Sequence, residues 1–499
     1  MTDPSPGPKE GLDPSLLALP LCAAVAGLGL WKPELVARVA NGLTETAFQS
    51  LDWFFLLAVS GMLLLLVGLA LSPWGKLKLG RPEDQPEFHT VSWLAMLFAA
   101  GMGAGLLFWG AAEPVMHFAN PPQSTPLSTE AASEALTQTI FHWGLHAWAC
   151  YGLAALVLAW FAYRKDQPYL AGAPLRAVFR GVWVKPVAAA ADLIAVVAVA
   201  FGVAGSIGMG TLQLQAGLAA AGVTAFEGTG GALAILAVLV VAYLASASTS
   251  LDKGIQVLSN VNIVIAILLM AFVLVAGPTS ELLRYAVAGL GDYLVSLPQL
   301  SLRLFPLSDK REWLGGWTLT YFIWWIAWAP FTGIFIARIS KGRTIREFVA
   351  GVVLLPTAFS LLWFAIFGGT ALQLELSGQA DMVGMVDADV TGALFGLLAQ
   401  LPLSGLLNVG ALVLIFVFLV TSVDSATYVL GMLTSRGSQD PPTLNKVGWG
   451  LALAGLGAAL LLGGNIRAVQ AVAISGALPF TLVMLLQAAA LVRSLREEP

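Results

Sequence analysis

The chain has 499 residues, 58% of them hydrophobic and only 11% charged, against roughly 45–50% and about 25% in soluble proteins, which excludes an ordinary soluble globule. A net charge of −4 without any basic block excludes nucleic-acid binding. The two cysteines, Cys22 and Cys150, lie inside apolar runs, so neither a disulfide framework nor a metal cluster is indicated.

The apolar residues come in runs of about 20, the length that crosses a bilayer. Residues 1–14 lack the features of a signal peptide, so the first apolar run is expected to stay in the mature protein. Helices are predicted near 15–31, 53–72, 92–112, 139–162, 188–221, 229–248, 257–277, 316–338, 348–373, 405–434, 446–463 and 467–492, twelve spans in an all-α integral membrane protein. The stretch 188–221 is too long for one straight span and is expected to tilt or break around its glycine cluster. The piece 281–304, with Glu281, Arg284, Asp292 and Arg303 among apolar residues, reads as an amphipathic helix outside the core. Lys and Arg in alternating loops divide 18 to 7 in favour of the N-terminal side, which predicts a multi-pass inner (plasma) membrane protein with both termini cytoplasmic.

Three segments could carry chemistry. Ala99-Ala-Gly101-Met102-Gly103-Ala-Gly105 sits mid-span, and each glycine weakens a helix by about 1 kcal/mol relative to Ala. Unwinding there would free carbonyls for a cation or amides for a carboxylate; the alternative is close helix packing through small residues. In Trp143-Gly-Leu-His-Ala-Trp148-Ala-Cys-Tyr151, a turn of about 100° per residue puts the three rings on one broad face. Trp324, Trp325 and Trp328 form a second aromatic face. Together such faces suit a quaternary ammonium group, held at about 0.5–2 kcal/mol per ring; the alternative is an interfacial belt or core packing. Thr421-Ser422-Val-Asp424-Ser425 offers oxygen ligands for Na⁺, against hydroxyls bonded to their own helix.

Asp424 and Asp192 are intramembrane carboxylates, costly enough to need a partner or a task, while Glu113 sits near a helix end where solvation is easier. His142 and His146 stand at i, i+4 without a third metal ligand. No nucleophile triad or phosphate loop suggests an enzyme. A faint internal echo pairs Phe108-Trp109-Gly-Ala-Ala-Glu-Pro114 with Trp324-Trp325-Ile-Ala-Trp-Ala-Pro330, in helices of opposite direction, as inverted repeats require.

Gly101-Met-Gly-Ala-Gly-Leu-Leu-Phe-Trp-Gly-Ala-Ala-Glu-Pro114, Gly316-Trp-Thr-Leu-Thr-Tyr-Phe-Ile-Trp-Trp325, Ala337-Arg-Ile-Ser-Lys-Gly-Arg-Thr-Ile-Arg-Glu-Phe348 and Thr421-Ser-Val-Asp-Ser425 together resemble the betaine/choline/carnitine transporter family. The resemblance implies a LeuT-like fold of two inverted five-helix repeats, helices 3–7 and 8–12, plus two N-terminal helices, assembled as a homotrimer. The chain would then divide into a cytoplasmic N-terminus 1–14, two extra spans 15–91, a first repeat 92–277, an interfacial helix and loop 278–315, a second repeat 316–492 and a short cytoplasmic tail 493–499. It further implies that Trp143, Trp148, Tyr151 and Trp325 box a trimethylammonium group, with Trp324 and Trp328 in the central or cytoplasmic-side substrate site and Gly101, Gly103 and Gly105 at the helix break. Carbonyls near Ala99, Met102 and Phe418 and the hydroxyls of Thr421 and Ser422 would hold one Na⁺, the coupling ion. Gly105, where proton-coupled members tend to carry Asp, goes with sodium coupling. Two departures stand out: Phe322 replaces the usual Trp, and Phe201–Gly210 lacks the threonines of a second Na⁺ site, leaving Ser206. The expected activity is Na⁺-coupled uptake of glycine betaine or a related zwitterion, with an ectoine- or carnitine-type substrate or sodium-independent exchange as the alternative. The short C-terminal end predicts little osmotic gating.

Overall fold

The computed structural model describes residues 17–101, 103–248, 252–463 and 466–498, with side chains excluded at 98–101, 252–259 and 466–468. Sixteen principal helices occur in chain order. They are α1 Ala18–Trp31, α2 Pro33–Leu71, α3 Thr90–Gly101, α4 Ala104–Ala119, α5 Thr129–Trp143, α6 Leu145–Lys165, α7 Val184–Ala220 and α8 Gly228–Ser248. There follow α9 Asp252–Ala276, α10 Thr279–Leu300, α11 Thr320–Ile339, α12 Leu355–Leu376, α13 Ser404–Leu433, α14 Thr443–Leu462, α15 Ile466–Ser475 and α16 Phe480–Arg496. No β-strand is present among the described residues, beyond a single bridge between Lys78 and Thr344.

Among the described residues nine helices are long and apolar enough to cross a membrane, or ten if the bent pair α9–α10 is one span. An all-helical solution follows from the solvent: in hydrocarbon every backbone polar group needs an internal partner. The bend between α9 and α10 is 112°, and α10 covers the region expected to form an amphipathic helix. One face of α10, with Leu282, Ala286, Gly289 and Tyr293, is buried.

The helix α7 decides between the two outcomes expected of it, tilt or break, against the break. It runs unbroken through its glycines for 37 residues, about 55 Å at 1.5 Å per residue. The glycines serve close approach instead: a Cβ would stand 3.0 Å from Ala327 Cβ at Gly202, 2.8 Å from Ala473 Cβ at Gly205 and 2.6 Å from Leu419 at Gly210. Small residues let α7 approach α11, α15 and α13, as is common between membrane helices.

The packing has a regular pattern. If α3–α9 and α11–α16 are taken as two halves, α4 packs on α12 and α11 on α6; α4 meets α13 and α11 meets α7; α7 packs on α14 and α13 on α8; α7 packs on α15 and α13 on α9. Each pair is converted into the next by exchanging the halves, while α7 against α13 and α8 against α14 convert into themselves. The helix α10 braces both halves, against α5 and α12.

Candidate functional site

Two interruptions of helical backbone border one cavity, and a third irregularity precedes a helix that lines it. The first is the break the glycines predicted: α3 ends at Gly101, Gly103 is extended at φ −151° and ψ 172°, and α4 begins at Ala104. Met102 lies outside the described residues, and of Ala99 and Gly101 only the backbone is described, in the last turn of α3. A Cβ on Gly105 would sit 3.2 Å from Trp143 Cη2, so the missing side chain makes room for that ring.

The second interruption was not anticipated. The predicted helix 139–162 is two helices, with Gly144 between α5 and α6 at φ −98° and ψ −135°. An angle of about 100° per residue therefore does not carry across from Trp143 to Trp148. The Leu145 N–H beside the break donates to the Tyr293 hydroxyl of α10 at 3.0 Å. The third is a π-helical stretch, Gly315–Leu319, immediately before α11. Such single-turn bulges reset which face of a helix the following side chains occupy.

These breaks bring the predicted rings together by another route. Trp143 meets Trp325 with centroids 4.9 Å apart, Trp325 meets Tyr151 at 5.8 Å, and Tyr151 meets Trp148 at 5.5 Å, each edge to face. Trp325 Nε1 donates to the His142 carbonyl at 2.8 Å, tying α11 to the last turn of α5. Tyr321 joins the group, 5.5 Å from Trp143 and 6.1 Å from Trp325. Trp324 and Trp328 face α7 instead, beside Gly205 and Gly202.

All seven rings line a cavity of about 1060 Å³ that also takes in Gly103 and Gly105. It continues past Trp324 and Trp328 to Glu87, Arg338, Gln439 and Lys446, near helix ends. Phe418, Thr421, Ser422 and Asp424 of α13 line it as well. The Thr421 hydroxyl donates to its own helix, to Val417 O at 2.8 Å and Phe418 O at 3.3 Å; its lone pairs stay free to accept a cation. Ser206 lines the same cavity from α7. The departure at Phe322 lies elsewhere: this ring is fully buried and stacks on His146 at 5.4 Å.

Glu113 reverses an expectation. Far from being solvated at a helix end, it is completely buried, nearly two helical turns before the end of α4 and directed at α5 and α11. Its Oε2 accepts from Trp143 Nε1 at 2.7 Å and from the Tyr321 hydroxyl at 2.5 Å. Its Oε1 lies 2.7 Å from His142 Nδ1 and 3.3 Å from His117 Nε2, and His142 Nε2 is 2.9 Å from Thr318 Oγ1. Glu113, His117 and His142 each offer a metal-ligating atom within 4.8 Å of the others. Their spacings are those of hydrogen bonds among themselves, and the second carboxylate oxygen is occupied by two donors, so the group reads as a polar network. His146 stands apart, 3.3 Å from Ser60 Oγ and 3.2 Å from Ser301 Oγ. Asp192 also has a structural task, accepting from Gly172 N and from Arg176 Nη2, both at 2.6 Å.

Sequence reasoning missed three participants. Tyr321 was inside a quoted motif but had no role. Glu113 was discounted by its position along the helix. Gln213 of α7 was not noticed; it lines the cavity, is 1% exposed, and neither of its amide atoms has a partner among the described residues. An amide two residues after Thr211 in a largely apolar helix was the available signal.

A family model described as BCCT, betaine/carnitine/choline family transporter, matches residues 15–499. The chain is 42% identical over 488 residues to a glycine betaine transporter, OpuD, of Bacillus subtilis, covering 97% of this chain and 94% of the relative. It is 40% identical to a glycine betaine transporter of Acinetobacter baylyi, covering 93% of this chain and 69% of that one. It is also 40% identical to an ectoine/hydroxyectoine transporter of Virgibacillus pantothenticus, covering 94% and 93%.

Proposed function

The chain belongs to the betaine/carnitine/choline family of transporters, and from that premise we propose that it imports glycine betaine, or a close quaternary-ammonium or sulfonium zwitterion, together with Na⁺. Transport is the family's work, and the chain is a membrane transporter, not an enzyme. The observation that carries the substrate reading is the convergence of Trp143, Trp148, Tyr151 and Trp325 on one cavity. A trimethylammonium group has no N–H to donate and is held by ring faces, each worth about 0.5–2 kcal/mol.

The carboxylate end would meet the N-terminus of α4, where the break at Gly103 leaves first-turn amides available to an anion. Na⁺ would sit between the end of α3 and α13, on carbonyls near Ala99, Met102 and Phe418 and the hydroxyls of Thr421 and Ser422. Supporting this placement, Thr421 and Ser422 line the same cavity as Gly103. The absence of suitable threonines beside Ser206 favours a single Na⁺.

The exchange pattern of helix packing supports two inverted five-helix repeats in a LeuT-like arrangement, with α10 as the interfacial connector. Counting α1, the broken pair α3–α4 and α9 beside the nine long helices supports twelve spans. The division at 92, 278 and 316 follows from the same reading. The cavity extends to Arg338 and Lys446, on the side where the Lys and Arg excess predicts cytoplasm, which supports reading it as an inward-facing arrangement of an alternating-access cycle in the inner membrane. A homotrimer is proposed on the family resemblance.

Uptake of labelled glycine betaine into proteoliposomes tests this. An inward Na⁺ gradient should drive accumulation and its replacement by K⁺ abolish it; equal uptake in K⁺ refutes the coupling. A Trp325→Leu variant with unchanged affinity refutes the aromatic site. A second substrate reading, ectoine, is favoured by the ectoine/hydroxyectoine relative, and competition between the two solutes decides it.

A further inference from the structure

Glu113 does not line the cavity, yet it holds two rings that do. Trp143 Nε1 has no capacity except to donate, so Glu113 Oε2 is its acceptor at 2.7 Å, and the Tyr321 hydroxyl shares that oxygen at 2.5 Å. The two rings meet at 61° with centroids 5.5 Å apart. A buried carboxylate is costly without partners, and this one has four, counting His142 and His117 behind it. Holding ring planes alone needs only a neutral acceptor. A carboxylate adds something further: hydrogen bonds to an ionised acceptor are roughly twice as strong as neutral ones, and they push electron density from N–H and O–H toward the π faces.

We propose that Glu113 is a positioning residue that polarises the aromatic cage, setting the ring planes of Trp143 and Tyr321 and raising their affinity for a quaternary ammonium cation over a neutral group of the same shape. The inference rests on the substrate reading above. Its logic is electrostatic: the attraction of a cation to a ring follows the ring's quadrupole, and the carboxylate deepens the negative face while remaining one hydrogen bond removed from the solute. Glu113 thereby acts on selectivity without touching what is selected.

The test compares glycine betaine with 3,3-dimethylbutanoate, its isostere with carbon in place of the charged nitrogen, as competitors of labelled glycine betaine uptake. The wild type should prefer glycine betaine about tenfold or more, as several ring contacts allow. In Glu113→Gln, which keeps a carbonyl oxygen for both donors, that preference should fall about three- to tenfold while affinity for the isostere, whose head group is uncharged, does not fall. Glu113→Asp, with the charge retained, should restore the preference. If Glu113→Gln weakens both ligands equally, Glu113 only holds shape and the polarising role is overturned. Should Glu113→Gln fail to accumulate, Tyr321→Phe carries the test: it keeps the ring, removes one donor to Glu113, and must lower the preference without loss of isostere affinity. An unchanged preference there overturns the proposal too. A wild type that does not distinguish the two ligands instead fails the substrate reading, and the inference falls with it.

Discussion

Replacing Gly144 with Ala bears directly on how the cage is built. The new Cβ would stand 2.5 Å from the Ile140 carbonyl oxygen and 2.9 Å from the Tyr293 hydroxyl, each well inside ordinary van der Waals contact. The carbonyl belongs to the last turn of α5 and cannot retreat without moving Trp143, whose ring is pinned by Glu113 and packed on Trp325. The hydroxyl can swing away only by giving up the Leu145 amide, 3.0 Å distant. Overpacking of this kind costs about 1–3 kcal/mol, and the abandoned amide a further 1–3 kcal/mol or so, together about 2–6 kcal/mol. The assay is a double-mutant cycle with Tyr293→Phe, read by thermal unfolding of the purified protein and by glycine betaine affinity. Tyr293→Phe alone should lose the amide's partner only, and the double variant should be less destabilised than the two singles summed, because the phenyl ring no longer presents an oxygen to the new methyl. Affinity should fall in Gly144→Ala, as Trp143 shifts against Trp325. A Gly144→Ala protein with wild-type midpoint and affinity, or strictly additive effects, would refute the account of the break.

Gln213→Leu should raise the thermal midpoint of the solute-free protein, because it removes a buried amide with two unpaired atoms, each costing about 1–3 kcal/mol; a lowered midpoint counts against this. Thr421→Val removes the hydroxyl but keeps the volume, and should raise the Na⁺ concentration needed for half-maximal uptake, measured in Na⁺ titrations, with folding intact. Asp192→Asn should destabilise the protein through loss of the charged pair with Arg176, while glycine betaine affinity is unchanged, Asp192 not being among the residues that line the cavity. Glu498, past the last helix, accepts from Arg164 and Lys165, and the Arg164 hydrogen bond above all holds its carboxyl below the usual carboxylate range. Its stabilisation is complete above that range and is lost as pH falls through the lowered folded value, so midpoints recorded against decreasing pH should fall less steeply in Glu498→Gln than in wild type.

The membrane helices were legible because hydropathy sums over about 20 residues and tolerates local error. The glycine break after Gly101 was legible for a local reason, three glycines within five residues. The break at Gly144 was not, because a single glycine is commonly absorbed in a helix, and what decides the matter here is Tyr293, 149 positions away along the chain. The rings of the cage were found through residue type, although the helical geometry used to group Trp143 with Trp148 does not apply. Glu113 was misjudged for the converse reason: its distance from the helix end suggested solvent, whereas its surroundings are set by α5 and α11. In the glycine-rich stretch of α7 the competing pull of close packing won over unwinding, a choice made by Ala327, Ala473 and Leu419 on other helices.

The interruptions at Gly103 and Gly144 have a consequence for how occupancy can be watched. Amides in uninterrupted membrane helices are locked in ladders shielded from water, and exchange their hydrogens only through rare opening. At Gly103 and Gly144 the ladder is locally broken, and both breaks border the cavity, through Gly103 itself and through Trp143. Local openings are drawn from such weakly held segments. Deuterium uptake should therefore concentrate at these points in the empty transporter and slow when solute fills the cage, making the backbone itself a reporter of binding.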